Sequence, residues 1–265
     1  MSCARPPAPA SGGRPEPPVP RAPRAGRADY GWATRPPEPT RRPEYDTLVA
    51  WTARGSRVLD LGCGDGALGA RLIAERGCVV HGIEIDPAGV ERTRARGVEA
   101  RLGDVDAGLE APADAYDLAV MNVTLQMVYR PGFVLGEMLR VAPVVLVSFP
   151  NFGFWMARLE ALAGRFPRRP LYGYAWHETR HIHLCSWADF VDLARSLGAR
   201  VTAQDHFGRD SRTPSRLARA WPNLLAAVCI ARLERGGRRP RPAESPAGRP
   251  PSQSTGGPGG SGERP

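Results

Sequence analysis

One short stretch of the chain combines an acid with closely spaced glycines at the end of an apolar run. Asp60 follows Val58 and Leu59, and glycines then occupy every second position at Gly62, Gly64 and Gly66. Glycine accepts a positive φ and, having no Cβ, allows a ligand to press against backbone N–H groups. The stretch therefore predicts a turn that holds a nucleotide-like ligand.

Spacing and charge distinguish the nucleotides that such a turn could hold. Gly62-x-Gly64-x-x-Ala67 fits a dinucleotide fingerprint. An acid two residues before a Gly-x-Gly-x-Gly run is instead typical of a site for S-adenosylmethionine (SAM). SAM carries a sulfonium and an ammonium and no phosphate, so the carboxylate of Asp60 would attract SAM and repel a pyrophosphate. The pattern favours SAM, with NAD as the alternative.

Two further acids follow apolar runs. Glu84 ends a predicted strand, where its carboxylate could accept hydrogen bonds from both ribose hydroxyls, although it would serve NAD equally well. Asp104 follows the next strand, where its side chain could take the adenine amino group and the N–H of Val105 a ring nitrogen. The predicted cofactor-binding residues are Asp60, Gly62, Gly64, Gly66, Glu84, Ile85, Asp104, Val105 and Asn122.

Strand and helix patterns alternate along the chain, and this order must position the acids. Pro87 stands where a first-turn proline belongs in a helix. Alternation of this kind predicts an α/β fold with a doubly wound, mainly parallel seven-stranded sheet, which resembles the class I SAM-dependent methyltransferase fold. The predicted elements are helix 44–51, strand 57–62, helix 67–76, strand 79–84, helix 87–96, strand 98–103, strand 116–122, helix 131–141, strand 144–149, helix 187–197 and strands 200–207 and 223–233.

Proline, arginine and glycine dominate both ends of the chain. We expect residues 1–43 and 236–265 to be disordered, because they cannot bury enough apolar surface to offset the entropy of ordering, and residues 44–235 to form one domain. Of the net charge of +9, residues 1–44 carry +4 and residues 236–265 carry +3. A nucleic-acid enzyme usually carries its basic face on the fold, so a nucleic-acid partner is disfavoured.

Membrane and secretion signals are absent from the sequence. No apolar run approaches the roughly 20 residues that cross a bilayer, and the N-terminus lacks the apolar region of a signal peptide. The five cysteines form no C-x-x-C pair, and their odd number argues for reduced thiols. We therefore expect a cytoplasmic protein without a membrane partner.

An aromatic insertion at 150–186 separates the fifth strand from the next helix. It could form a lid over a ligand or a docking surface, or its aromatic residues could form a small satellite core. Within it, His177-Glu-Thr-Arg-His181 matches the His-Glu-x-x-His pattern of zinc proteases, but the helical context is poor and no third ligand is evident, so we predict no metal. Ser186, with Asp189 three residues on, predicts a helix N-cap instead.

Catalytic residues are not evident. Amino-group methyltransferases commonly place Asn/Asp-Pro-Pro-Tyr/Phe after the fourth strand, where this chain has Asn122-Val-Thr-Leu-Gln126. No general base stands nearby, although His177, His181 or His183 could approach from the insertion. Methyl transfer to a good nucleophile needs mainly positioning, so the sequence leaves open whether the chain is an enzyme.

A narrower resemblance rests on motifs between about Glu44 and Phe207. The chain resembles the methionine biosynthesis protein MetW family, although it has Arg180-His181 where that family tends to have Pro-Asn. The motifs are Leu59-Asp-Leu-Gly-Cys-Gly-Asp-Gly-Ala-Leu68, Gly82-Ile-Glu-Ile-Asp86, Thr124-Leu-Gln126, Glu137-Met-Leu-Arg-Val141, Val147-Ser-Phe-Pro-Asn-Phe-Gly-Phe-Trp155 and Ile182-His-Leu-Cys185.

The resemblance implies a methyltransferase fold that supports another enzyme. MetW proteins are linked to the homoserine O-acyltransferase of methionine synthesis as its partner, and no methylated substrate is generally assigned to them. A SAM-binding partner protein of this kind is the favoured hypothesis, and a SAM-dependent methyltransferase acting on a small molecule is the alternative. A zinc hydrolase or an NAD enzyme is the remaining possibility.

Overall fold

The computed structural model describes residue 31 and residues 42–168, 176–177, 179–208 and 214–236. Its strands are β1 (Arg57–Leu61), β2 (Val79–Glu84), β3 (Glu99–Leu102), β4 (Leu118–Asn122), β5 (Val144–Pro150), β6 (Ala199–Phe207) and β7 (Val228–Arg235). Its α-helices are α1 (Pro43–Trp51), α2 (Ala67–Arg76), α3 (Pro87–Ala95), α4 (Pro131–Val141), α5 (Trp155–Leu162), α6 (Trp187–Ser196), α7 (Arg216–Ala220) and α8 (Pro222–Leu225). Two 3₁₀ turns, Val105–Ala107 and Leu125–Met127, follow β3 and β4.

The strands form one seven-stranded sheet in the order β3-β2-β1-β4-β5-β7-β6. Strands β1 to β5 run parallel to one another, whereas β7 pairs antiparallel with both β5 and β6. The predicted doubly wound, mainly parallel α/β sheet is therefore confirmed. Because β1 to β4 are parallel, their carboxyl ends meet at one edge of the sheet, where open α/β sheets bind ligands.

Two hydrophobic cores lie on opposite faces of this sheet, because successive side chains of a strand point to opposite sides. On β1, Leu59 and Leu61 belong to the core that includes Met138 of α4 and Phe190 of α6. Val58 belongs to the other core, with residues of α1 and α2. These cores fix the strand ends. Burying each large aliphatic side chain contributes about 1.5–3 kcal/mol to the stability of the fold.

Most predicted elements differ from the observed ones by one or two residues at their ends. The predicted strand at 223–233 is the largest error, since the strand starts only at Val228 and α8 occupies residues 222–225. Pro222 stands in the first turn of α8, where its fixed φ suits a helix and its missing N–H costs nothing. The short helix α7 precedes it and is not among the elements that the sequence predicts.

The insertion contains helix α5. Ser186 caps α6 as expected: its hydroxyl accepts the N–H of Asp189, whose carboxylate accepts the N–H of Ser186. Tyr172 and Tyr174 of the insertion, and nearly all of both predicted tails, lie outside the described residues. None of the helices in the described ranges is long and apolar enough to cross a membrane.

Candidate functional site

The glycine turn between β1 and α2 has the backbone that the sequence predicted. Gly62, Gly64 and Gly66 all have positive φ, of 69°, 62° and 76°. The N–H of Gly62 donates to the carbonyl of Ile83 in the neighbouring strand at 2.8 Å, which anchors the start of the turn. The turn thus crosses the carboxyl ends of β1 and β2.

Glu84, at the end of β2, is tied to this turn through its carboxylate. Oε2 accepts the N–H of Gly64 at 2.8 Å, and Oε1 accepts the N–H groups of Ile85 at 2.9 Å and Asp86 at 3.1 Å. Burial raises the pKa of Glu84, although these three donors act against that rise. A carboxylate has about four acceptor positions, so three are used and one is left for a ligand.

Asp60 lies buried behind the turn. Its Oδ2 is buried and has no hydrogen-bond partner among the residues that the structure describes. Burial, followed by the neighbouring Glu84 carboxylate, raises the pKa of Asp60 to about 7. A buried carboxylate oxygen without a partner is an unfavourable arrangement that a nearby cation would relieve.

An open cleft of about 590 Å³ lies at the carboxyl edge of the sheet. Five of the predicted cofactor-binding residues line it. The complete lining consists of Gly62, Ile83, Glu84, Ile85, Gly103, Asp104, Val105, Asp106, Thr124, Met127 and Val128. The volume of the cleft includes space open to solvent. The position of the cleft at the carboxyl ends of the strands, rather than its size, is what suits a ligand.

The other four predicted residues are not part of the cleft wall. Gly64 and Gly66 belong to the glycine turn but do not line the cleft, and Asp60 is buried behind that turn. Asn122, at the end of β4, accepts a hydrogen bond from the hydroxyl of Ser148 through its side chain, while its carbonyl accepts the Thr124 hydroxyl at 3.0 Å. In the structure Asn122 therefore holds the backbone that follows β4.

Several wall residues come from the turn after β4, which the sequence analysis did not assign to the site. Thr124, Met127 and Val128 lie in or beside the 3₁₀ turn there. Asp106, also in the wall, fixes the far end of this turn by accepting the N–H groups of Tyr129 and Arg130, each at 2.9 Å. The Thr124-Leu-Gln126 motif does not by itself assign these positions to a ligand site, since they join the site only through the fold.

The insertion crosses this same turn. The carbonyl of Gln126 accepts the N–H groups of Ile182 at 2.9 Å and His183 at 3.0 Å. The Gln126 side-chain nitrogen lies 3.2 Å from Nε2 of His181, and Nε2 of His183 lies 3.2 Å from the carbonyl of Tyr129. Residues 181–183 are therefore attached to the turn whose other residues line the cleft.

A zinc centre gains no support from this geometry. His177 stacks edge-on against Trp176, whereas His181 is bonded to Gln126, and the intervening Glu178 lies outside the described residues. Burial lowers the pKa of His181 to about 4. Within the described ranges, no three His, Cys, Asp or Glu side chains are grouped to hold a metal ion.

The chemistry of the cleft fits an adenosine-containing cation better than a dinucleotide. Glu84 and Asp104 place carboxylates in its wall, with Asp60 close behind, and a pyrophosphate would be repelled by this charge. Gly62 provides space that a side chain would fill, because a Cβ there would meet Thr124 at 2.6 Å. The remaining wall is largely aliphatic, which suits an adenine ring.

Sequence comparison identifies a family and a curated relative. Residues 42–233 match the family model described as "Methionine biosynthesis protein MetW". The "Bifunctional methionine biosynthesis protein MetXA/MetW" of Rhodopirellula baltica is 31% identical over 177 residues, which cover 63% of this chain and 28% of that protein. The chain thus matches little more than a quarter of the length of this relative.

Solved structures share the fold. A SAM-dependent methyltransferase from Thermotoga maritima, described as a possible histamine N-methyltransferase, superposes with a TM-score of 0.55 at 16% identity, covering 73% of this chain and 88% of that one. The magnesium protoporphyrin IX methyltransferase of Synechocystis with bound S-adenosylhomocysteine gives a TM-score of 0.54 at 19% identity, covering 74% and 84%. At these identities the likeness establishes the fold alone.

Proposed function

The chain belongs to the methionine biosynthesis protein MetW family, and we propose that it binds SAM in the cleft and supports a homoserine O-acyltransferase as its partner. The proposed binding of SAM rests on the pair of buried acids, Asp60 and Glu84, at the ends of adjacent strands beside a glycine turn. A site for a ligand with two positive charges and no phosphate is the simplest function for such an arrangement.

Each residue has a distinct part in this proposed site. Asp60 attracts the positive end of SAM, and the remaining acceptor position of Glu84 takes a ribose hydroxyl. Asp104 and Val105 stand at the end of β3, where they meet the adenine edge. The turn at Gly62 and Gly64 brings backbone close to the ligand, while Asn122 holds the strand end behind it. Bound SAM would supply an activated methyl group.

The partner half of the proposal rests on the relative from Rhodopirellula baltica. Its printed name joins MetXA and MetW in one bifunctional protein, and this chain matches 28% of it. We take MetXA to be the acyltransferase. Two activities joined in one chain stay at high effective concentration, which favours partners that act together.

The cleft offers little for catalysis of methyl transfer. Its titratable wall residues are Glu84, Asp104 and Asp106, and Asp106 is already occupied by two backbone N–H groups. His181 is bonded to Gln126 rather than directed into the cleft. We therefore propose that the protein binds SAM without turning it over, and that SAM reports the level of a downstream product by changing the affinity for the partner.

Calorimetric titration of the full chain with SAM, alone and with the purified acyltransferase, tests the proposal. We expect binding of SAM, an affinity that changes when the acyltransferase is present, and no S-adenosylhomocysteine by mass spectrometry. Binding indifferent to the acyltransferase, together with S-adenosylhomocysteine formed in the presence of cell metabolites, would establish a small-molecule methyltransferase instead. Failure to bind SAM would overturn the cofactor assignment.

A further inference from the structure

Helix α5 carries its tryptophan and both of its leucines on the side that faces solvent. Trp155, Leu159 and Leu162 follow one another at intervals of four and three residues, so they lie along one face of the helix. Their exposed fractions are 36%, 55% and 83%, whereas Ala157 on the opposite face is the one residue of α5 that is buried. An amphipathic helix normally buries its apolar face, so this orientation is inverted.

A second apolar row has the same sequence spacing and is also exposed. Leu217 of α7, Trp221 between the two short helices and Leu224 of α8 are 67%, 65% and 41% exposed. Isolated exposed apolar residues are ordinary, but two rows that include two tryptophans mark a contact site. Tryptophan is also the residue most enriched among those that dominate binding energy.

Both rows lie at the same end of the sheet. Helix α5 follows the end of β5, and α8 precedes the start of β7, whose first residue, Val228, is paired with Pro150. The side-chain nitrogen of Asn151 donates to the carbonyls of Pro222 at 3.0 Å and Ala226 at 2.8 Å, which ties the two segments together. We call this surface, formed by Trp155, Leu159, Leu162, Leu217, Trp221 and Leu224, the α5–α8 surface.

Arginines are frequent on the two segments that carry the α5–α8 surface. Among the described residues 155–168 and 214–225, five arginines stand against one acid, Glu160. Arg158 is bonded to the carbonyl of Gly153, and Arg219 pairs with Asp205 at 3.0 Å. A positive border of this kind favours a partner whose own border is acidic, and it disfavours a symmetric contact between two copies of this chain. The five arginines are Arg158, Arg165, Arg168, Arg216 and Arg219.

We propose that the α5–α8 surface is the docking site for the homoserine O-acyltransferase, which covers it with an apolar face bordered by acidic residues. The inference rests on the proposed function, since that function supplies the partner. It also accounts for the inverted orientation of α5, because the apolar row of that helix is then buried in the complex. The name of the relative from Rhodopirellula baltica joins MetXA and MetW in one protein. The acyltransferase is therefore the occupant most consistent with so large an exposed surface.

The test compares charge substitutions on this surface with matched controls. Leu159→Glu and Trp221→Glu place an acid on the surface, while Ala161→Glu adds the same charge to an exposed position off the apolar row of α5. Val79→Glu changes an apolar residue that is 54% exposed at the opposite end of the sheet. Calorimetry with the purified acyltransferase should give a dissociation constant at least tenfold higher for each surface variant and within about threefold of wild type for both controls. Unchanged thermal unfolding verifies that each variant is folded.

The outcomes separate this inference from the proposed function. If wild-type protein binds SAM but not the acyltransferase, the proposed partnership fails and the docking site fails with it. If wild type binds the acyltransferase and Leu159→Glu and Trp221→Glu bind equally well, the partnership stands and the docking site is overturned. If sedimentation shows a wild-type dimer that these two variants dissociate, a second copy covers the surface and the inference is again overturned.

Discussion

Gly62 lies directly against Thr124, which is 62 residues further along the chain. A Cβ built on Gly62 would be 2.6 Å from Cγ2 and 2.8 Å from Oγ1 of Thr124, and the φ of Gly62 is +69°. The contact joins the glycine turn after β1 to the 3₁₀ turn after β4, and both residues line the cleft. The shape of the cleft at this point therefore depends on the absence of a side chain at position 62.

Replacing Gly62 with Ala should destabilise the fold and weaken SAM binding. Positive φ costs a non-glycine residue about 1–2 kcal/mol, and the close approach to Thr124 adds to that cost. Gly77→Ala is the matched control, because Gly77 has a φ of +65° and nothing within 4 Å of its Cβ position. Urea unfolding should show a larger loss for Gly62→Ala than for Gly77→Ala, and Thr124→Ala should recover part of the difference in the double variant. Equal losses for the two alanine variants would contradict the contact.

Glu84→Gln should both loosen the glycine turn and abolish measurable SAM binding. The carboxylate accepts three backbone N–H groups, and an amide nitrogen in place of one oxygen would confront at least one of these donors without accepting from it. Leaving a buried donor unsatisfied costs about 1–3 kcal/mol. Glu110→Gln is the control, since that side chain is largely exposed and lies 3.6 Å from Arg101. Chemical denaturation and calorimetry on both variants would measure the two effects, and SAM binding retained by Glu84→Gln would show that the cofactor lies elsewhere.

SAM affinity should rise with pH up to about 7, because Asp60 attracts the ligand only when it is ionised. Burial and Glu84 raise the pKa of Asp60 to about 7, so at lower pH the carboxylate is mostly protonated and must release a proton when SAM binds. We expect the association constant to fall by up to tenfold per pH unit below 7 and to level off above pH 8. Titrations between pH 5.5 and 8.5 would measure this slope, and Asp60→Asn should flatten it. A flat profile for wild type would exclude Asp60 from the binding step.

The sequence was sufficient to predict the parts of the site that follow directly from strand ends. The residues Asp60, Glu84 and Asp104 could be placed together because the carboxyl ends of adjacent parallel strands meet at one edge. The role predicted for Glu84, accepting hydrogen bonds from both ribose hydroxyls, stays a prediction. Three backbone N–H groups already use most of the acceptor positions of its carboxylate, a feature that the sequence does not reveal.

What the sequence did not predict depends on contacts between distant segments. Thr124 lines the cleft because β4 lies beside β1, and the sequence around Thr124 does not indicate its contact with Gly62. The helix α8 was missed because an apolar run after Asn223 is equally typical of a strand, and only the position of Pro222 in a first helical turn favours a helix. The hydrophobic periodicity of the insertion does not distinguish a lid from a docking surface either. Helix α5 has an ordinary amphipathic pattern, and only its orientation, with the apolar row towards solvent, is unusual.

The fold should lose stability as the pH falls from about 6.5 to 4, in part through His206. Its ring is fully buried against Trp187, neither ring nitrogen has a hydrogen-bond partner among the described residues, and burial lowers its pKa to about 4. Well above pH 6.5 the ring is neutral in both the folded and the unfolded chain, so His206 does not change the stability with pH there. Below that pH the unfolded chain takes up a proton that the folded chain excludes until about pH 4.

Replacing His206 with Phe should remove this pH dependence, which amounts to about 1.4 kcal/mol per pH unit and up to about 3 kcal/mol at pH 4. Asp205 favours the proton and Arg219 opposes it, and both are kept in the variant. His177→Phe serves as the control, since His177 is exposed and its replacement leaves the buried ring in place. Urea unfolding from pH 4 to 7.5 would measure the slopes. Identical slopes for wild type and His206→Phe would show that His206 is not the responsible group.

Binding of SAM should slow hydrogen exchange at Ile182 and His183, outside the cleft. Their N–H groups donate to the carbonyl of Gln126, in the turn whose neighbours Thr124 and Met127 line the cleft. A ligand that contacts those two side chains holds the turn in place, and opening of the attached segment then costs more. Hydrogen exchange with mass spectrometry, with and without SAM, should show protection of a peptide covering residues 180–185 and none of one covering 199–205 in β6. Protection confined to residues of the cleft would mean that SAM binding does not stabilise the insertion. The proposed effect of SAM on the affinity for the partner would then require a different structural connection.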